Sequence, residues 1–277
     1  MTKIAIVTGG NQGLGLALVR GLCRLPDHVV YLAARDRQRG LAAVRSLENE
    51  GLAPRLEILD VRDTEAVQAC ARTLAERHGG VDVVISNAAA RIGRDVPNAD
   101  QVRPFVDTNN HGTQRMIDAF GPVLNDGARF VVVASAFGTA ASLDPRLRDR
   151  FDVARASAAD ITAVMDAYAA AVEAGRDAEE GWPAWINPPS KVGQVAATKV
   201  FARDLAEEAE RRDILVNAAC PGLVDTDASR PWFDDMSGAA SPDEAAVDVL
   251  WLATLPAGMR EPYGELVQYR KVLPFGG

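Results

Sequence analysis

Cysteine is scarce. Cys23, Cys70 and Cys220 are the three present. They stand far apart, and none falls at Cys-x-x-Cys or another metal-ligand spacing, so neither a redox dithiol nor a metal site is expected. Basic charge is short as well: 30 Lys and Arg stand against 38 Asp and Glu, for a formal net charge of -8. A general nucleic-acid binder needs basic surface to meet phosphates, so that class is excluded. No apolar stretch reaches the ~20 residues that span a bilayer, and no membrane partner is expected. The opening MTKIAIVTGG reads as a strand running into glycines and not as a secretory leader. A cytoplasmic protein is the expectation. Linkers and internal repeats are missing too, so the 277 residues read as one domain, long enough to bury a core without staples.

What is present is a strict alternation. Strands are predicted at Lys3–Thr8, His28–Ala34, Arg55–Asp60, Val81–Ser86, Arg129–Ser135, Ile214–Cys220 and Glu265–Gln268. Helices are predicted at Arg37–Asn49, Thr64–Arg77, Val102–Leu124, Val192–Arg212 and Pro242–Leu255, with another closing before Pro26. The strands are continuously apolar, which implies a parallel sheet covered on both faces. Right-handed crossovers then give an α/β doubly wound sheet of Rossmann type. One segment breaks the rhythm: Asp144–Gly181 is charged and helical, and reads as an insertion packed on the domain. Ser157 with Asp160 resembles a helix start, and Gly175 a stop.

The first turn reads Thr8-Gly9-Gly10-Asn11-Gln12-Gly13-Leu14-Gly15. It follows a strand and opens a helix, which is where glycines let a backbone approach a pyrophosphate at a positive helix end. Sites for NAD place a carboxylate about 20 residues further on, for the ribose 2′-hydroxyl. Ala34 stands there instead, followed by Arg35, with Arg37 and Arg39 close by. Nothing repels a 2′-phosphate, and a guanidinium can pair with one, so NADP(H) is the expected cofactor.

These residues resemble the short-chain dehydrogenase/reductase family over nearly the whole chain. The loop from Thr8 to Gly15 is similar to its TGxxxGxG motif. Leu59-Asp60-Val61 resembles the adenine-contacting strand end, and Ser86-Asn87-Ala88-Ala89 the NNAG motif with two departures. Asn109 and Ser135 match the family's helix asparagine and catalytic serine. Pro221-Gly222-Leu223-Val224-Asp225-Thr226-Asp227 matches the segment after the sixth strand. The carbonyl-reductase branch is the nearest in pattern, through Ala34-Arg35-Asp36, the helical insertion and Gly181-Trp182-Pro183. The resemblance implies cofactor contacts from Thr8, Gly9, Asn11, Gln12, Gly13, Leu14, Gly15, Arg35, Arg39, Asp60, Val61, Asn87, Ala88, Lys191, Pro221, Gly222, Val224 and Thr226. It implies a monomer, because the insertion covers the usual oligomer face. Gln12 stands where the branch often has Lys, which gives less charge to a 2′-phosphate.

The family's catalytic pair is Tyr-x-x-x-Lys. Lys191 aligns with the lysine, and Asn187 stands four positions earlier. An amide does not ionise usefully and cannot act as a general acid. Ser135, Lys191, Asn109 and Asn187 are therefore the candidate catalytic residues, with the proton source displaced; a water held by Lys191 and Asn109 is the simplest surrogate. Because Pro188 and Pro189 follow, Asn187 is expected in an extended lead-in, with the helix starting near Pro189. Trp182, Trp185, Phe137, Trp232 and Phe233 are candidates either for an apolar substrate wall or for core. Three readings stand: an NADPH reductase of a bulky or conjugated carbonyl or quinone, a non-redox cyclase, dehydratase or isomerase on the same scaffold, or a non-catalytic NADP- or partner-binding protein.

Overall fold

The computed structural model describes residues 2–276. Along the chain run β1 (Lys3–Thr8), α1 (Gly13–Cys23), β2 (His28–Ala34), α2 (Arg37–Glu48), β3 (Arg55–Ile58), α3 (Thr64–His78), β4 (Val81–Ser86), α4 (Asn98–Val106) and α5 (Gly112–Phe120). The second half has β5 (Leu124–Val133), α6 (Pro145–Arg148), α7 (Ala158–Glu173), α8 (Asp177–Glu180), α9 (Asn187–Arg212), β6 (Leu215–Cys220), α10 (Pro242–Ala253), β7 (Leu266–Gln268) and β8 (Lys271–Leu273). The strands form one sheet in the order β3-β2-β1-β4-β5-β6-β7-β8. All neighbours are parallel except β7 with β8. The chain order reverses between β1 and β4, and a crevice opens at such a reversal.

Period-two alternation divides the core between the two faces. Ile4, Ile6, Tyr31, Val84, Phe130 and Val132 point to one side, beneath α3, α5 and α9. Ala5, Val7, Val30, Leu32, Ile85 and Val131 point to the other, beneath α1, α2 and α10. The strands read as continuous apolar runs because both faces are covered. The buried Arg129 is an exception with a structural use. Its guanidinium donates to the carbonyls of Leu255, Pro256 and Ala128, at 3.1, 2.8 and 3.1 Å, and so ties β5 to the end of α10.

Several sequence expectations shift. The helix expected at Val102–Leu124 begins at Asn98, behind Pro97, and Leu124 already pairs with Val81 as the first residue of β5. Between α4 and α5 the backbone widens into a π-helical turn at Asp107–His111. The strand expected to reach Asp60 ends at Ile58, and β8 was not foreseen. Most consequentially, α9 begins at Asn187 and not near Pro189. Prolines in a first helical turn forfeit no hydrogen bond. Both rings are buried, so packing outweighs the preference of a pre-proline residue for extended backbone. Ile186 already lies in the right-handed region, at φ -74 and ψ -9.

The segment from Asp144 to Gly181 contains α6, α7 and α8, and α7 packs on α4 and α9. Ser157 and Asp160 form a reciprocal cap at its start. No helix among the described residues is long and apolar enough to cross a membrane.

Candidate active site

Two cavities open at the carboxyl ends of the strands, on either side of the reversal. The first has a volume of 670 Å³ and is lined by the glycine loop, by the ends of β2 and β3, and by the start of the segment after β4. Of the residues expected to touch a cofactor, Gly9, Asn11, Gln12, Gly13, Leu14, Gly15, Arg35, Arg39, Asp60, Val61, Asn87, Ala88 and Thr226 line it.

The loop is held close by necessity. Gly9 has φ +64 and Gly13 φ +52, values that L side chains rarely adopt. A Cβ on Gly15 would lie 2.2 Å from the Gly9 carbonyl oxygen and 2.6 Å from Asn87 Nδ2. Thr8 lines neither cavity; it is 1% exposed and braces the loop from behind. Its Oγ1 accepts the amides of Asn87 and Ala88 at 2.9 and 3.0 Å. Asn87 Nδ2 returns a bond to the Thr8 carbonyl at 2.9 Å. β1 and β4 are thereby fixed across the reversal, with the start of α1 aimed between them.

The charge at the far end of this cavity favours a phosphate. Arg35 and Arg39 are exposed on its wall. Asp36 also lines it, but its carboxylate is committed to capping α2, accepting the Arg39 amide at 2.9 Å. Asp60 is clamped by both arms of Arg62, at 3.0 and 2.7 Å. That clamp holds its carboxyl below the ordinary range.

The second cavity measures 420 Å³ and shares Ala89, Ala90, Arg91, Thr226 and Ala228 with the first, so the two are continuous. Asn109, Ser135, Asn187 and Lys191 all face it, with Pro221, Gly222 and Val224 on the β6 side. Three elements deliver them. Ser135 follows β5 and caps a short 3-10 turn: its Oγ accepts the Phe137 amide at 3.3 Å, which leaves its O–H free to donate. Asn109 sits in the π-helical turn. Its Oδ1 accepts the Ala90 amide at 2.8 Å and its Nδ2 donates to Ser190 Oγ at 3.3 Å, so the side chain joins the segment after β4 to α9. Asn187 and Lys191 are four apart on α9 and share a helix face.

Lys191 is the unusual charge. Its Nζ donates to Gln194 Oε1 at 2.8 Å. Burial away from any carboxylate lowers its pKa to about 8, against a small opposing pull from Cys220. Cys220, at the end of β6, is itself pushed up by burial. Among the described residues on this wall, Lys191 and Arg91 are the basic side chains, Cys220 carries the thiol, and no carboxylate is present.

The aromatic candidates divide. Phe137, Trp185, Trp232 and Phe233 line the cavity. Trp185 makes an edge contact with Phe137 at 5.1 Å and stacks obliquely on Trp232 at 5.8 Å. Trp182 instead packs in the core against Tyr168, with centroids 4.7 Å apart. Tyr168 lies outside both cavities; its hydroxyl is buried without a partner, and its pKa is raised by desolvation. His111 points away and bonds Asp166 at 2.9 Å. Asp225 and Asp227 are engaged by Arg230, at 2.7 and 3.1 Å, in the loop that leaves β6. That loop is pinned by a bridge between Val224 and Ala240 and by Arg94, which donates to the Pro231 carbonyl at 2.8 Å. Sequence reasoning did not single out Gln194, Thr113 or Ser190, although the buried bonds around Lys191 and Asn109 pass through them.

The geometry has close relatives. Residues 3–144 match the model of the short chain dehydrogenase family. Human carbonyl reductase [NADPH] 1 is 35% identical over 273 residues, covering 97% of each chain. Carbonyl reductase [NADPH] 3 of Rattus norvegicus is 34% identical over 275 residues, covering 98% of each. Salutaridine reductase from Papaver somniferum shares the fold with a TM-score of 0.82 at 22% identity, over 95% of this chain and 99% of that one. The chain belongs to the short-chain dehydrogenase family and is carbonyl-reductase-like within it.

Proposed function

We propose that this protein is an NADPH-dependent reductase of bulky or conjugated carbonyl compounds, quinones included, in which Lys191 takes over the proton donation that a tyrosine performs elsewhere in the family. NADP(H) is the cofactor. The glycine cradle, where a Cβ at Gly15 would collide with the Gly9 carbonyl, and the paired Arg35 and Arg39 fit a dinucleotide carrying a 2′-phosphate. The carbonyl reductases to which the chain is similar are named for NADPH. When bound, NADPH supplies the hydride.

The protein's own residues supply the rest. The O–H of Ser135 donates to the substrate oxygen and stabilises the developing negative charge; a well-placed donor of this kind is worth roughly 3 kcal/mol. Asn187 faces the same space but has no proton to give. The observation that carries the reading is that Ser135, Asn187 and Lys191 line one cavity in which Lys191 is the acid tuned nearest neutrality. Phe137, Trp185, Trp232 and Phe233 give that cavity an aromatic wall, suited to flat conjugated rings. Such substrates delocalise the charge that hydride addition creates and demand less of the acid.

On the same reading the chain acts as a monomer, since α7 covers α4; light scattering showing a stable tetramer would overturn that. Consumption of NADPH with a panel of ketones and quinones tests the activity. The expected order is quinone above simple ketone, with turnover depressed in Ser135→Ala. Turnover of a substrate without net NADPH oxidation would contradict the reading.

A further inference from the structure

We propose that Gln194 is the positioning residue of this active site: it holds the Lys191 ammonium at the cavity wall and sets how readily that ammonium gives up its proton. The proposal rests on the reading above, in which Lys191 supplies the proton.

Gln194 is 2% exposed and lies one turn beyond Lys191 on α9, on the same face. A buried amide must find partners for both its ends or it destabilises the fold. Both ends are used. Oε1 accepts from Lys191 Nζ at 2.8 Å, and Nε2 donates to Thr113 Oγ1 at 3.0 Å. Thr113 in turn donates its own hydrogen to the Asn109 carbonyl at 2.6 Å. The amide orientation follows from chemistry, because an ammonium can only donate and Thr113 Oγ1 has already committed its proton. The chain Lys191–Gln194–Thr113–Asn109 therefore has one direction, and it ends in the π-helical turn that carries Asn109 into the cavity.

The charge around Lys191 leaves Gln194 as its anchor. From the end of β6, Cys220 faces it; Arg91 stands on the same cavity wall, in the segment after β4. Ser135 after β5, Asn109 before α5 and Asn187 on α9 contribute no charge. No carboxylate lines this cavity among the described residues. A neutral acceptor at 2.8 Å favours the ammonium without fixing the proton as a carboxylate would. In the reduction, hydride goes to the carbonyl carbon and the proton moves from Lys191 Nζ to the carbonyl oxygen. The C=O π bond and one N–H bond break, C–H and O–H bonds form, NADPH is oxidised, and the neutral amine is recharged from solvent.

The test uses Gln194→Glu, Gln194→Val and Gln194→Met in the full chain. Lys3, Lys191, Lys199 and Lys271 are the lysines, so a 13C NMR titration of the lysine side chains, without nucleotide, resolves Lys191. Gln194→Glu places an opposite charge on the ammonium and raises the Lys191 midpoint by about one to three pH units; the alkaline limb of kcat moves with it. Gln194→Val and Gln194→Met lower the midpoint and cut kcat at neutral pH by about tenfold or more, while the Kd for NADPH stays within about twofold. The Met variant keeps the volume where Val does not. A Lys191 midpoint that stays put in Gln194→Glu and Gln194→Met overturns the proposal, as does a kcat limb that ignores a shifted midpoint. If the midpoint moves but wild type oxidises no NADPH with any carbonyl, Gln194 still sets Lys191 and the reductase reading is what fails.

Discussion

The two cavities share one sheet edge and part of one wall, yet they are built from different materials. The nucleotide cavity is made by backbone. Glycines at positive φ, a threonine braced from behind and two strand ends locked by Asn87 leave few ways to alter it without a collision. The catalytic cavity is made by side chains. Ser135, Asn109 and the α9 pair Asn187 and Lys191 arrive from three separate stretches of chain, and an aromatic cluster closes over them. A backbone-built site keeps its ligand class, because most substitutions there damage it. A side-chain-built site can lose an acid and recruit another while the scaffold stands.

The comparison breaks most sharply at Lys191. Lys191→Ala removes the proposed acid, and kcat should fall by about 10²–10⁴-fold in steady-state assays while the fold, followed by thermal unfolding, is retained. A loss of less than tenfold would mean that the catalytic cavity draws its proton from elsewhere. The nucleotide cavity answers to charge. Arg35→Glu should weaken NADPH by about 10–100-fold and leave NADH nearly untouched, as read by calorimetry; equal losses for both would show that Arg35 does not face the 2′-phosphate. The smallest effect belongs to a residue in neither cavity. The Tyr168 hydroxyl is buried and unpaired, so Tyr168→Phe should leave kcat unchanged and shift stability by no more than about 1 kcal/mol, upward if at all. A large drop in kcat would make Tyr168 the missing acid.

Much of this contrast was legible in the sequence. The strands show as apolar runs because both sheet faces are covered, and the glycine loop shows because its function needs backbone conformations that only glycine adopts cheaply. Arg35 was visible as the absence of a carboxylate at Ala34. The start of α9 was misread because local preference gives a pre-proline residue extended backbone, whereas burial of Pro188 and Pro189 decides the matter in the folded chain. Asn187 instead lies inside the helix, one turn before Lys191 on the same face. Asn187→Tyr now places a phenol on the face of Lys191, and it should raise kcat on simple ketones by about tenfold or more. Gln194 was invisible for a different reason. It reaches Thr113 across 81 positions of sequence, and nothing near it in the chain marks it as other than a surface polar residue. The aromatic residues could be divided between wall and core only once the loop after β6 set Trp232 against Trp185.

The most direct test is the pH dependence of kcat for NADPH-driven reduction of a simple ketone by the wild-type protein. Burial lowers the Lys191 pKa to about 8. The reactive form is the protonated one, so turnover should hold steady below that value and fall as pH rises through it. The limb should be missing from the residual activity of Lys191→Ala. A rate that stays level well above about 8, or an identical limb in Lys191→Ala, would contradict the assignment of proton donation to Lys191.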